Sequence, residues 1–384
     1  MKIENFVSGD YVAQRGYKAF IPVKINTEWN WTNPQINVLL EQASKELGGL
    51  NSFSDLIPNI DIYIQMHIRA EANKSSRIEG TKTSIEEELM EIEDISPEKR
   101  DDYVEVHNYI DAMNYGIGRI QNDSFPLSSR LIRELHRILM RGARGEHKTP
   151  GEFRTMQNWI GGTLPSNAVF VPPVVEEMGA LLTDFEKFIH NDELNVPHLI
   201  KLALIHYQFE TIHPFQDGNG RIGRLIIPLY MLNKHLLDKP CFYISDYFER
   251  NRTTYYDALQ NVREKNDLTG WIVLFLQAIH YTATSAKSRF KKVLSLVNEY
   301  EEKVLSFPGR ADNNRSILKA FFNDPVLIIK QIETQTGLSQ PTVERAMKNM
   351  IDSGMLHEVT GYSRNRVFRL TKYLELFSTS EGID

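Results

Sequence analysis

Twelve residues, His213 to Arg224, read HPFQDGNGRIGR and bring together a base, a hard oxygen donor, a glycine turn and two arginines. An imidazole that is neutral near physiological pH takes up a proton, so His213 is a candidate general base for an attacking hydroxyl. Asp217 offers the carboxylate oxygen that Mg²⁺ takes alongside substrate phosphates and water. Gly218 and Gly220, on either side of Asn219, carry no side chain and let the backbone approach a ligand closely. Arg221 and Arg224 stand three apart on one helix face, where guanidinium forks can grip phosphate oxygens bidentately. The set is suited to holding a nucleoside triphosphate and deprotonating the group that attacks it.

Two helices must position these groups. The apolar-periodic run Pro197 to Ile212, PHLIKLALIHYQFETI, predicts a buried helix that delivers His213 at its end. Arg221 to Leu237 reads as the next helix, with the first free N–H groups turned toward the ligand. No lysine follows a GxxxxG, so the segment is not a P-loop. The element before it is helical, so it is not a dinucleotide fingerprint either. Elsewhere helical spacing dominates, and the chain reads as mainly α. Leu131, Ile132, Leu135, Ile138 and Leu139 form one apolar stripe, capped by Ser128 or Ser129 and stopped at Gly142.

The chain of 384 residues is 41% hydrophobic and 24% charged, which is ordinary globular composition and enough for two or three domains. A net charge of −6 argues against a protein built wholly around nucleic acid. The single cysteine, Cys241, forms no internal disulfide and no CxxC zinc pair, which fits a reducing cytoplasm. The start lacks a basic segment followed by an apolar stretch, and no apolar run approaches the ~20 residues of a membrane span. Punctuation divides the chain into an N-terminal helical region over 1–100, a core over 101–305, a linker over 306–314 and a small domain over 315–384. Ser96 and Pro97 read as a fresh helix start, and Trp271 to Leu305 as a long helix before the linker.

On these residues the chain resembles the Fic family, whose signature HxFx(D/E)GNGRxxR is matched at every defining position. Family members transfer AMP from ATP to a Ser, Thr or Tyr hydroxyl of a target protein. The resemblance therefore implies His213 as base, Asp217 on Mg²⁺, Gly218, Asn219 and Gly220 as an anion hole, Arg221 on phosphate and Arg224 on the γ-phosphate. Related Doc kinases carry lysine in place of Gly220 and bind nucleotide in the reverse sense, so the glycine favours adenylyl transfer. Gly151 to Pro173, GEFRTMQNWIGGTLPSNAVFVPP, is similar to the family's flap, a small β-hairpin whose tip holds Ile160, Gly161, Gly162 and Thr163. A strand edge there would take a target segment by β-augmentation. An ordinary hairpin would look the same. Tyr255 and Tyr256 match a position where the family sets tyrosines beside adenine, though a core stripe would read identically. Ser75, Glu79 and Gly80 satisfy the inhibitory motif (S/T)xxxE(G/N), N-terminal to the core as in class II members. A Glu79 carboxylate on Arg224 would occupy the γ-phosphate's place.

In the small C-terminal domain, Arg315 to Phe322 and Ile328 to Thr336 read as helices, and GLSQPTVERAMKNMIDSG as the turn and second helix of a helix-turn-helix, with Ser339 as cap. Met355 to Thr360 and Val367 to Leu370 would be wing strands joined by GYSRNR, giving a winged helix. Six Lys/Arg face three acids between Ser339 and Lys372, a surplus that leaves DNA binding and protein docking both open. Fic proteins often self-associate, so a homodimer is a further expectation. Two rival functions remain. One is a transcriptional regulator whose core senses a nucleotide. The other is an enzyme that removes AMP, with Glu79 positioning water.

Overall fold

The computed structural model describes the chain apart from residues 56, 58, 59, 143, 144, 361–365 and 379–384. It begins with an antiparallel hairpin of β1 (Gly9–Gln14) and β2 (Tyr17–Pro22), in register from Gly9 opposite Pro22 to Gln14 opposite Tyr17. Helices α1 (Pro34–Asp55) and α2 (Ile60–Glu79) follow. A short α3 (Ile85–Glu88) starts on Ser84, whose hydroxyl accepts the Glu87 N–H while the Glu87 carboxylate accepts that of Ser84. The turn Pro97–Lys99 then leads into α4 (Arg100–Gln121), where Ser96 and Pro97 announced a start. In α5 (Ser129–Leu139) the cap is Ser128, and all five stripe residues are buried.

The core is completed by α6 (Val175–His190), α7 (His198–Ile212), α8 (Asn219–Asn233), α9 (Ser245–Arg250), α10 (Arg252–Lys265) and α11 (Leu268–Leu305). Every residue of α7 from Leu199 to Ile212 is buried, as an all-round apolar helix must be. Helix α8 begins two residues before the expected Arg221 and stops at Asn233 rather than Leu237. Pro228 inside it has no N–H to offer the Arg224 carbonyl, which releases one backbone bond directly behind the signature. With 38 residues, α11 is a spine about 57 Å long, against which α1 packs.

The segment expected to form a hairpin flap contains no regular strand. Its only pairing is one antiparallel bridge, Ile160 to Phe170, and the chain between them is drawn into a 3-10 turn at Pro165–Asn167. The regular two-stranded sheet is instead β1–β2. The Phe20 N–H of β2 donates to the Val171 carbonyl at 2.9 Å, so this hairpin holds the flap's return limb.

Helix α12 (Ala311–Asn323) begins within the stretch read as linker and buries Asn314. It is followed by β3 (Val326–Ile328), α13 (Ile329–Thr336), α14 (Gln340–Asp352), β4 (His357–Glu358), β5 (Val367–Arg369) and α15 (Thr371–Ser378). The three strands form one antiparallel sheet in the order β3-β5-β4. Ser339 stands at the N-cap of α14, but its hydroxyl pairs with that of Thr342 instead of a backbone N–H. The β4–β5 connection at 361–365, read as the wing, lies outside the described residues. This C-terminal unit rests on the N-terminal helices. Arg369 pairs with Glu86 at 2.6 Å, Gln331 donates to Glu91 at 2.9 Å, and the Phe377 ring sets its edge on His67. Among the described residues no helix is long and apolar enough to cross a membrane.

Candidate active site

The site forms where α7 ends, α8 begins and α2 terminates. His213 closes α7 in a left-handed conformation, φ 49° and ψ 59°, while its N–H still donates to the Phe209 carbonyl at 2.9 Å. A β-carbon makes that conformation costly, so surrounding contacts must impose it. Two side chains from the flap do so. Arg154 Nε donates to the His213 carbonyl at 3.1 Å and Asn158 Nδ2 to the same oxygen at 3.3 Å. The His213 ring lies with Nδ1 3.4 Å from the Glu210 carbonyl. A carbonyl only accepts, so Nδ1 carries the proton and the Nε2 lone pair is left to act as a base. Burial, then the charges of Arg263 and Arg154, lower the imidazole to about 3. The ring is therefore neutral at physiological pH.

The turn from Phe215 to Asn219 is braced from within. Asn219 is buried, and its side chain accepts the Phe215 N–H at 2.8 Å and donates to the Phe215 carbonyl at 2.9 Å. His136 of α5 stacks on the Phe215 ring at 3.8 Å. The Gly151 N–H donates to His136 Nδ1 at 2.8 Å, so Nε2 holds the proton given to the Asp217 carbonyl at 3.1 Å. Burial lowers this imidazole to about 4 and keeps that tautomer neutral. Gly218 caps α8 at φ 75°, and a β-carbon there would meet Met140 Sδ at 2.9 Å.

Asp217 is exposed, with Oδ1 accepting the Gly218 N–H at 2.6 Å. No cluster of three or more metal-ligating side chains occurs among the described residues. A cation at Asp217 would therefore complete its shell from water and phosphate oxygens, which suits Mg²⁺ and not a cation that needs an all-protein cage. Arg221 is buried beside it, giving Nη1 to Glu105 at 3.0 Å, and both line a small cleft with Met140 and Glu105.

Arg224 is fully buried and meets the end of α2. Its Nε donates to Ser75 Oγ at 2.8 Å, Nη2 to the Ser75 carbonyl at 3.0 Å, and Nη2 again to Glu79 Oε1 at 2.5 Å. Nη1 is buried with no hydrogen-bond partner. Burial alone would raise the Glu79 carboxyl, but the charge and hydrogen bond of Arg224, with help from Arg221, bring it below its ordinary value. Gly220 makes room for this carboxylate, since a β-carbon there would stand 2.4 Å from Glu79 Oε1. Gly80 ends α2 immediately afterwards, at φ 108°.

Tyr255 and Tyr256 part company. Tyr255 is buried, stacked on Phe248 at 4.3 Å, with its hydroxyl against His206 Nε2 at 2.9 Å, so it belongs to the core. Only Tyr256 presents an open ring, at 40% exposure. Of the flap tip, Gly161 and Gly162 adopt φ 68° and 71°, and the Thr163 N–H donates to Asn167 Oδ1 at 3.0 Å. Sequence reasoning missed His136, Arg154, Asn158, Glu105 and Glu210. Glu210 is the one that left a signal, as a carboxylate inside an apolar helix. It is buried, Oε1 has no partner, and burial raises it to about 7.

Residues 38–118 match the model of the Fic/DOC family N-terminal region and residues 126–231 that of the Fic/DOC family. The chain thus carries a Fic/DOC N-terminal region and a Fic/DOC domain. It is 30% identical over 168 residues to the protein adenylyltransferase Fic of Aedes aegypti, covering 43% of this chain and 30% of that one. The Drosophila grimshawi protein of the same name is 32% identical over 131 residues, 32% of this chain and 25% of its own. The chain spans less than a third of the length of these curated relatives. Among solved structures, a Fic family protein from Desulfovibrio desulfuricans G20 aligns over 92% of this chain and 98% of its own, with TM-score 0.54 and 20% identity. Fic-1 (134–508) from C. elegans aligns over 69% and 75%, with TM-score 0.53 and 18% identity. These likenesses extend to the fold.

Proposed function

We propose that this protein transfers AMP from ATP to a Ser, Thr or Tyr hydroxyl of a target protein and is held inactive by Glu79. The observation that carries the reading is the 2.5 Å contact of Glu79 with a buried Arg224 whose Nη1 is otherwise unpartnered, beside a neutral histidine with a free Nε2. His213 Nε2 takes the proton of the target hydroxyl as its oxygen bonds to the α-phosphorus. The bond from that phosphorus to the bridging oxygen breaks, and pyrophosphate leaves with its charge met by Arg221, Arg224 and the first N–H groups of α8. Mg²⁺ at Asp217, when bound, neutralises charge on the triphosphate. With Glu79 on Nη2 and Ser75 on Nε, Arg224 keeps only Nη1 and cannot offer the γ-phosphate a bidentate fork, so ATP does not adopt the reactive pose. Tyr256 supplies an aromatic face for adenine, and the flap from Ile160 to Thr163 receives the target segment.

We read the C-terminal unit as a winged helix with a docking role for DNA or for a protein, a reading supported by its helices α12 to α14 and the antiparallel order β3-β5-β4. The experiment for the catalytic reading is incubation of native and Glu79→Gly protein with labelled ATP and cell lysate. Label on protein, stronger with the variant, is the expected result, and no label with either would overturn the reading. Loss of AMP from a pre-modified target, read by mass spectrometry, would show removal instead.

A further inference from the structure

We propose that Arg154 is a positioning residue for His213, tying both limbs of the flap to the backbone that sets the base. The inference rests on the reading of His213 as the base. Arg154 is 2% exposed, and every hydrogen bond its guanidinium makes ends on a backbone carbonyl. Nε reaches His213 at 3.1 Å, Nη1 reaches Met156 on the outgoing limb at 3.3 Å, and Nη2 reaches Pro173 on the return limb at 2.5 Å. Its own N–H donates to the Pro214 carbonyl at 2.9 Å. No carboxylate stands within ion-pair distance of it among the described residues, and burial pushes the guanidinium down to about 10.

Burying a cation without a counter-ion is unfavourable, so the arrangement calls for a function that carbonyl coordination alone provides. The planar fork supplies it. Its Nε, Nη1 and Nη2 donors, set apart in one rigid plane, reach three chain segments at once, whereas a lysine offers its donors from a single nitrogen on a flexible stem. One of those segments is the residue held in a left-handed conformation. If the His213 carbonyl turned away from Arg154, the backbone would relax and the ring would move off its line to the attacking hydroxyl. Because the same guanidinium grips Met156 and Pro173, a target segment seated between the flap's limbs bears on the orientation of the base.

The test uses full-length protein carrying Glu79→Gly, so that the brake is absent, with labelled ATP and automodification as the readout. Arg154→Lys keeps the cation and loses the fork, whereas Arg154→Gln loses both. The rate at saturating ATP is expected to fall on the order of 10²-fold in each, while the KM for ATP stays within about twofold, as for a misplaced reacting group. The charged groups facing His213 are Arg263 from α10, Arg154 from the flap and Glu79 from α2. With Glu79 already removed, loss of the Arg154 charge moves the acid limb of the rate profile to higher pH in Arg154→Gln and leaves it in place in Arg154→Lys. The split reports the charge alone, so a fall in rate shared by both variants at unchanged KM marks loss of the fork and not of the charge. An unchanged rate in Arg154→Lys, or acid limbs that move together, overturns the proposal. Should Arg154→Gln fail to fold, Asn158→Ala removes the second donor to the same carbonyl and is expected to lower the rate roughly tenfold, with an unchanged rate counting against the proposal. If the Glu79→Gly protein itself incorporates no AMP, the failure lies with the catalytic reading and not with Arg154.

Discussion

The turn from His213 to Asn219 and the end of α2 converge on the start of α8 but are built to opposite tolerances. The turn is saturated. The His213 carbonyl takes two side-chain donors, Phe215 is bonded at both its N–H and its carbonyl by Asn219, and the Asp217 carbonyl takes the His136 proton. The end of α2 offers Arg224 two anchors of unequal kind. Ser75 is buried, whereas the Glu79 side chain keeps 34% exposure and meets the arginine through one oxygen. A catalytic geometry must not wander, while a brake must be able to leave. The contrast in hydrogen bonding fits the two proposed roles: the turn can move only by breaking several buried bonds together, whereas the Glu79 carboxylate is held on Arg224 by one contact.

The largest expected effect attacks the rigid side. His213→Ala removes the imidazole proposed as the base and should lower AMP incorporation by about 10³-fold or more, as loss of a general base does. Retained incorporation in the labelled-ATP assay would break the assignment. On the loose side, Glu79→Gly should raise automodification roughly 10- to 10²-fold, corresponding to about 1.5–3 kcal/mol for a charge-assisted hydrogen bond. A rate equal to that of the native chain would remove the brake. The same variant leaves Arg224 buried with no counter-ion, which is unfavourable until an anion arrives. Its thermal midpoint should therefore lie below that of the native protein without nucleotide and rise further on adding MgATP. Equal shifts in the two proteins would mean that Glu79 does not stand in for phosphate.

How much of this was legible follows from how the information is distributed along the chain. The signature is contiguous, and its turn and helix are dictated locally by Gly218, the apolar run of α7 and the arginine spacing. The pairing of Ser75 with Glu79 was legible because they are i, i+4 neighbours on α2, although nothing local says that they face Arg224. The supports of the turn lie far off in sequence. His136 sits on α5 and Arg154 and Asn158 on the flap, and each looks like an ordinary polar residue until the fold brings it in. Tyr255 and Tyr256 illustrate a different limit. Adjacent helical residues point about 100° apart, so the pair could not share one face, and packing sent Tyr255 inward. The flap lacked a period-2 pattern strong enough for a strand. The hairpin that formed around Arg15 and Gly16 lacks one as well, since Ala19 and Phe20 are buried side by side, so neither segment announced its strands.

The smallest expected effect tests whether burial sets the working range of the base. An unperturbed imidazole near 6.5 would gain about fourfold in its neutral fraction between pH 6 and pH 8. His213 is lowered to about 3, chiefly by burial, so it is already neutral throughout that interval. In the Glu79→Gly protein the rate at saturating ATP should vary by less than about twofold from pH 6 to 8 and fall only on the acid side. A fourfold rise would show that the ring titrates as if solvated, and the desolvation that lowers it here would then not describe the working enzyme. In the native protein the sign for Glu79 runs the other way. Its carboxyl lies below the ordinary value, so the contact with Arg224 is fully present above the usual carboxylate range and is lost only as pH falls through the lowered value. Native and variant rates should thus stay apart by a constant ratio from pH 6 to 8. A ratio that closed within that interval would place the brake on a group other than this carboxylate.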